Sequence, residues 1–144
     1  MQVTSHTTVA APIETIWDAL SDHVGIGRWA PGLTVTMDEV GTNDPNGVGA
    51  VRRIASAGPG PDIVEEVVAS EPPHMLSYKA LSGVPFPGYG GEVRLSEAGA
   101  GTPITHTLTS TAKFPLVKAP LAVLCQCCCA CSRARQPIET KSCP

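Results

Sequence analysis

One amphipathic helical segment interrupts a chain that otherwise has the sequence pattern of β-strands, and this order of elements limits the possible folds. Pro12 begins the segment, where the first helical turn tolerates a missing N–H. A second short turn follows and closes at Trp29-Ala30-Pro31. In the first part of the segment, apolar side chains recur at helical spacing, at Ile13, Ile16, Trp17 and Leu20. We therefore predict two short helices inserted after a first strand.

The remainder of the chain predicts an antiparallel sheet. Segments that alternate between apolar and polar residues, or that are rich in β-branched residues, are separated by clusters of Gly, Pro, Asn and Asp, which favour turns. Short, near-regular spacing of this kind is typical of strands that pair consecutively. The predicted strands are residues 3–10, 33–40, 50–57, 63–70, 75–81, 92–97 and 103–112. A curved sheet of about seven strands with one apolar face needs an element packed across it, and a helix beginning near Phe114 is suitably placed.

The segment from Gly83 to Gly91 is predicted to be an irregular loop. Its sequence, Gly-Val-Pro-Phe-Pro-Gly-Tyr-Gly-Gly, is incompatible with regular structure because glycine and proline dominate it. We expect this loop to act as a gate, with Phe86 and Tyr89 in it.

Several pieces of the sequence resemble the START-like (SRPBCC) superfamily, in particular its bacterial polyketide cyclase/dehydrase-type members. The resemblance rests on the segment from Ala11 to Pro31, followed in order by residues 47–53, 63–68, 71–78 and 101–106. It implies an α+β helix-grip fold: a curved antiparallel sheet, two short helices after strand 1, and a C-terminal helix. Because this fold carries cyclases, hydrolases, lipid carriers and hormone receptors, the resemblance specifies the fold much more closely than the function.

Composition excludes several classes of function. The 144 residues correspond to one domain, and a net charge of −3 without a basic stripe argues against nucleic acid as a partner. No apolar run is long enough to cross a membrane, and the N-terminus has no signal-peptide pattern. We expect a cytoplasmic protein without membrane insertion, without a cofactor or metal, and present as a monomer or weak homodimer.

The C-terminal part contains an unusual cysteine tract, Cys125-Gln-Cys-Cys-Cys-Ala-Cys131. It has three interpretations: a metal site, small apolar residues on a shortened helix, or a shifted reading frame after about Leu124. If the gene is GC-rich, the same bases in another frame encode Val-Pro-Val-Leu-Leu-Arg-Leu, which suits an apolar helix. The hypothesis would be rejected if the nucleotide sequence of the gene encodes no apolar helix in either alternative frame. We predict a domain over residues 1–131 and a loose polar tail over residues 132–144.

Strand alternation identifies candidates for a ligand cavity. If Ile54 points inward, so does Arg52, and Glu65 points inward together with Ile63. The two strands meet at the turn around residues 58–61, so Arg52 and Glu65 are predicted to be neighbours. The pair either anchors a polar ligand group or is purely structural. The opposite facing remains open, because Val51 and Val64 also suit an inner face.

Aromatic residues and one histidine complete the set of candidates. Tyr78 is predicted to point inward, and Trp29 to lie at the cavity mouth. His106 lies between Ile104 and Leu108 on one strand face, where the family more often has tryptophan. It is either a hydrogen-bonded interior histidine or a base that titrates near neutral pH.

Two functions from different classes follow. The favoured one is the binding or carriage of a small hydrophobic molecule (lipid, polyketide or aromatic) in the cavity. The alternative is a polyketide cyclase or dehydratase in which Arg52, Glu65, Tyr78 or His106 transfers protons. If the last helix is defective, the chain is instead an unstable copy or an oligomer formed through exposed strands.

Overall fold

The computed structural model describes residues 1–112. Two helices follow the first strand, as the sequence predicts, and six further strands complete the described part. In chain order the elements are β1 (Gln2–Val9), α1 (Ile13–Ser21), α2 (Ile26–Trp29), β2 (Leu33–Glu39), β3 (Val51–Ser56), β4 (Ile63–Glu71), β5 (Met75–Ser82), β6 (Gly90–Leu95) and β7 (Thr102–Thr109).

The seven strands form one curved antiparallel sheet, which confirms the predicted fold class. Its order is β1-β7-β6-β5-β4-β3-β2, so every strand from β2 to β7 pairs with its neighbour in sequence and β1 closes onto β7. Register shifts interrupt the β2–β3 and β4–β5 ladders. Such bulges increase the local twist of a sheet.

The helix α1 packs against one face of the sheet, which we call the inner face. Ile13 and Trp17 are buried there, and Ile16 and Leu20 pack against the same cluster. The sheet contributes buried residues from several strands to this cluster: Val67, Leu76, Val93, Leu95 and Ile104. The apolar face predicted for the first helix is therefore confirmed, and it determines which side of the sheet is the interior.

The predicted loop over residues 83–91 is too long, because Gly90 and Gly91 belong to β6 and pair with Lys79 and Tyr78. The reason is steric. A side chain at position 91 would overlap the ring of Tyr78, which lies across β6 at this point. Here glycine is needed for close packing within a strand, although its sequence context is typical of a loop.

Three predictions fall on residues 113–144, which lie outside the described residues: the C-terminal helix, the cysteine tract and the polar tail. Within residues 1–112, no helix has the length and apolar character needed to cross a bilayer.

We predict that Gly91→Ala destabilises the protein by about 1–3 kcal/mol, the usual cost of overpacking. The new methyl group would overlap Cζ and the hydroxyl oxygen of Tyr78, and the rigid ring would have to leave its position. Urea denaturation followed by circular dichroism measures the change.

Gly58→Ala is the matched control for this variant. An added Cβ at Gly58 meets no atom within 4 Å, so this substitution should leave the midpoint unchanged or raise it slightly. Equal effects of the two substitutions would show that the packing of Tyr78 against β6 is not constrained as described.

Candidate functional site

Arg52 and Glu65 form a buried ion pair on the inner face. They are direct register partners on β3 and β4, and the two residues are 6% and 4% exposed. Arg52 Nε and Nη2 donate to Glu65 Oε2 over 3.0 and 2.8 Å. The predicted register is therefore confirmed. Val51 and Val64, which left the facing open in the sequence, are also buried, on the opposite face.

His23 holds the other side of the Arg52 guanidinium, and sequence analysis did not identify it. It lies between α1 and α2 and is fully buried. Its Nε2 lies 2.8 Å from the carbonyl oxygen of Asn46, which can only accept, while its Nδ1 lies 3.0 Å from Arg52 Nη1, which can only donate. His23 is therefore neutral, with its proton on Nε2.

The environment keeps His23 neutral. Burial lowers the pKa of His23 from 6.5 to about 4, and the charge of Arg52 acts in the same direction. Protonation would place a hydrogen on Nδ1, directly opposite an arginine N–H. The neutral imidazole thus accepts a hydrogen bond from Arg52 Nη1 and positions the guanidinium on the side that Glu65 does not contact.

Tyr78 connects this ion pair to His106. The Arg52 guanidinium carbon lies 4.8 Å from the centre of the Tyr78 ring, a cation–π distance. The ring crosses β6 over Gly91, and its hydroxyl oxygen lies 2.9 Å from Nε2 of His106 on β7. One polar network therefore crosses the inner face from the β2–β3 loop to β7.

His106 is 5% exposed, and its pKa is lowered from 6.5 to about 4, first by burial and then by the charge of Arg52. Of the two alternatives for this residue, the geometry agrees with a hydrogen-bonded interior histidine. Alternation placed it correctly on the inner face. The extent of its burial, which is the main cause of the low pKa, and the contribution of Arg52 from a strand more than fifty residues earlier both depend on the folded arrangement of the sheet.

The loop before β6 covers one end of this network. Tyr89 is buried in a cluster with Tyr78 and Leu108, and Phe86 packs against the same cluster. The rings of Phe86 and Tyr89 are stacked with centroids 6.4 Å apart. Both predicted loop aromatics are thus near Tyr78.

Trp29 and Ile54 lie in a different cluster. They pack, half-buried, against Ile26, Ala30 and Val35, where α2 meets β2. The indole N–H of Trp29 is buried and has no hydrogen-bond partner among residues 1–112. Among the eight predicted cavity residues, Arg52, Glu65, Tyr78 and His106 are joined by direct contacts, Phe86 and Tyr89 adjoin Tyr78, and Trp29 and Ile54 form the separate cluster.

A groove of about 350 Å³ lies on the opposite, outer face of the sheet. Its polar lining includes Gln2, Ser77, Glu92, Thr107 and Thr109. These residues alternate with the inner-face side chains along β5, β6 and β7. Tyr78, Gly90 and Gly91 also line the groove, so it adjoins the polar network at Tyr78. Its size would admit a small molecule.

Within the described residues, no three histidine, cysteine or acidic side chains come together in a way that suits a metal ion. The chemistry that the inner face does offer is hydrogen bonding from a neutralised ion pair, a phenol and two neutral imidazoles. These groups lie in surroundings from which water is largely excluded.

Comparisons with known proteins agree with this architecture. The sequence matches the family described as polyketide cyclase / dehydrase and lipid transport over residues 1–125. No curated protein matches the chain. The match ends at the start of the cysteine tract, and the proposed change of reading frame stays a prediction.

Solved structures share the fold at low identity. A START superfamily protein from Mycobacterium smegmatis is 17% identical with a TM-score of 0.78, and the alignment covers 93% of this chain and 95% of that one. CalU16 from Micromonospora echinospora is 22% identical with a TM-score of 0.61 over 86% of this chain, which spans 65% of the CalU16 chain. The Aha1 dimer from Colwellia psychrerythraea is 14% identical with a TM-score of 0.68, covering 90% and 92% of the two chains.

We predict that Arg52→Ala and Glu65→Ala each destabilise the protein by about 3–5 kcal/mol, because each leaves a buried charge without its partner. The double variant should lose less stability than the sum of the two single losses. Chemical denaturation of the wild type and the three variants closes the thermodynamic cycle.

The pair Glu66–Lys79 on the outer face provides the control cycle. Its charged atoms are 2.8 Å apart, but the side chains are 30% and 53% exposed, so the coupling should be below about 1 kcal/mol. Strict additivity in the Arg52–Glu65 cycle would contradict the buried contact.

We also predict a loss of stability in mild acid. The unfolded chain binds the His106 proton more tightly than the folded protein, because folding lowers this pKa from 6.5 to about 4. Stability is therefore complete above the unfolded pKa and falls as the pH decreases from 6.5 to about 4, by on the order of 3 kcal/mol for this group. His23 contributes a decrease over the same range.

The variant His106→Phe should remain folded, and its free energy of unfolding should fall less than that of the wild type over this pH range. Denaturation at a series of pH values measures the slope. His6→Gln, which removes an exposed imidazole on β1, controls for the loss of a histidine. A slope in His106→Phe equal to that of the wild type would show that His106 is not desolvated in the folded protein.

Proposed function

The chain belongs to the polyketide cyclase/dehydrase and lipid transport family, and we propose that it binds and carries a small hydrophobic molecule at the inner face of its sheet. The observation that supports this most directly is the composition of that face. Apolar side chains surround a buried, internally paired polar network, an arrangement that favours an enclosed apolar ligand oriented by a few hydrogen bonds.

The loop over residues 83–89 is the proposed entrance. Its aromatic residues Phe86 and Tyr89 contact the cluster that contains Tyr78 and Leu108. Movement of this loop would expose the Tyr78 end of the network while the α1 end stays packed. We propose that Trp29 and Ile54 border the opposite side, near β2, where the indole N–H, which has no partner within the described part of the chain, supplies one more donor.

The low pKa of His106 favours carriage over catalysis. A general base works best when its pKa is near the pH of the reaction, and an imidazole with a pKa of about 4 is a weak base at neutral pH. Arg52 and Glu65 are engaged with each other, so neither is poised for proton transfer. The proposed carrier needs no cofactor, and we propose that it acts in the cytoplasm as a monomer or weak homodimer.

One contact favours the enzymatic alternative, a polyketide cyclase or dehydratase. The Tyr78 hydroxyl and His106 Nε2 lie 2.9 Å apart, so a phenol and an imidazole could exchange a proton next to a bound substrate. Mass spectrometry of the ligand distinguishes the two functions. Recovery of an unchanged ligand supports carriage, and recovery of a product lighter by one water supports the enzyme.

The binding site is tested by filling each face of the sheet in turn. We predict that the neutral dye N-phenyl-1-naphthylamine binds the wild type, and that Ala80→Phe weakens this binding by about tenfold or more. Ala80 packs beside Tyr78 on the inner face and is the register partner of Glu65, so a phenyl ring there would occupy the proposed site. Dye fluorescence measures the affinity.

Ser77→Phe is the matched control. It introduces the same ring on the same strand but into the outer groove, and it should leave dye affinity within about twofold of the wild type. Loss of binding in Ser77→Phe with retention in Ala80→Phe would move the site to the outer groove. Absence of binding to the wild type, together with no organic adduct in native mass spectrometry, would refute the proposed function.

A further inference from the structure

The charge of Arg52 is already neutralised within the protein. Three of its N–H groups donate to two internal partners, Glu65 and His23. The compensating carboxylate is as deeply buried as the guanidinium itself. Arg52 and Glu65 thus form a neutral unit, and the adjoining imidazoles of His23 and His106 carry no charge at neutral pH.

This unit has hydrogen-bonding capacity left over. A guanidinium has five N–H donors, and the three bonds described leave two. Both bonds to Glu65 converge on Oε2, and in the described part of the chain no donor reaches Oε1. The unit therefore presents donors next to an acceptor.

A hydroxyl group matches this arrangement, because it donates one hydrogen bond and accepts others. We propose that the inner face selects neutral ligands that carry a hydroxyl group, such as a phenol, an enol or an alcohol, and rejects carboxylates and phosphates. The hydroxyl donates to Glu65 Oε1 and accepts from Arg52. This inference rests on the proposed function, since it specifies the ligand of the same site.

Rejection of anions follows from electrostatics. An anionic ligand would gain the arginine N–H groups but would face the Glu65 carboxylate in a desolvated environment, where like charges repel strongly and lost hydration is not replaced. Nothing in the ion pair compensates a third charge. Glu65 is therefore the specificity-determining residue, and fatty acids and phospholipids are excluded as ligands.

Three probes with the same ring system test the inference: naphthalene, 2-naphthol and 2-naphthoate. At neutral pH the first two are uncharged and the third is an anion. Wild-type protein should bind 2-naphthol roughly threefold or more tighter than naphthalene, and about tenfold or more tighter than 2-naphthoate. Equal or tighter binding of 2-naphthoate overturns the inference. Failure of all three probes to bind overturns the proposed function as well.

Glu65→Gln should reverse the selectivity, because Arg52 would then have an uncompensated charge. The ratio of 2-naphthoate to 2-naphthol affinity should rise by about tenfold or more. Glu66→Gln makes the same chemical change at the next residue, in a partly exposed pair with Lys79 on the outer face, and should leave the ratio unchanged. Equal ratios in the wild type and Glu65→Gln contradict the assignment of Glu65.

A second variant keeps the test valid if Glu65→Gln does not fold. The double variant Arg52→Met/Glu65→Met removes the whole ion pair, and apolar replacement of a buried pair is often neutral or stabilising. In this variant the preference for 2-naphthol over naphthalene should disappear, while naphthalene still binds. A preserved preference would show that the hydroxyl is recognised elsewhere.

Discussion

Burial of the Arg52 guanidinium is the constraint on which the rest of the inner face depends. A cation removed from water must be paired and hydrogen-bonded, or it cannot remain inside the fold. Glu65 supplies the charge, and His23 supplies an acceptor from the connection between α1 and α2. One buried charge thereby links the neighbouring strands β3 and β4 to the helical insertion, and His23 links the insertion to the carbonyl of Asn46 in the β2–β3 loop.

The network also depends on a glycine in the sheet, because Gly91 has no side chain and leaves space for the ring of Tyr78. Tyr78 on β5 reaches His106 on β7 only because the intervening strand has Gly91 at the crossing point. Its ring then lies within cation–π distance of Arg52 on one side and its hydroxyl contacts an imidazole on the other. The position of the Tyr78 hydroxyl is here a consequence of strand register and of one missing Cβ.

Most of the fold follows from the sequence, because strand alternation, turn residues and one amphipathic helix are local signals. The inward facing of Arg52 and Glu65 is one of two facings that the sequence allows, because Val51 and Val64 also suit an inner face, and the structure decides between them. His23 could not be found this way. Its two partners are 23 and 29 residues away in sequence, and an isolated histidine between two helical turns carries no local signal. The strand pairing of Gly90 and Gly91 was missed because the benefit of glycine there comes from a ring on another strand.

Family membership and the geometry of the site constrain function in different ways. The family covers both cyclases and lipid carriers, so membership alone leaves the choice between chemistry and carriage open. The proposed carriage rests on the site, where the ionisable groups are a paired carboxylate, a paired guanidinium and two imidazoles with a pKa of about 4. Groups arranged to keep their protonation states are suited to orienting a ligand through hydrogen bonds. The same pairing that stabilises the buried charge therefore supports the proposed recognition of a neutral molecule.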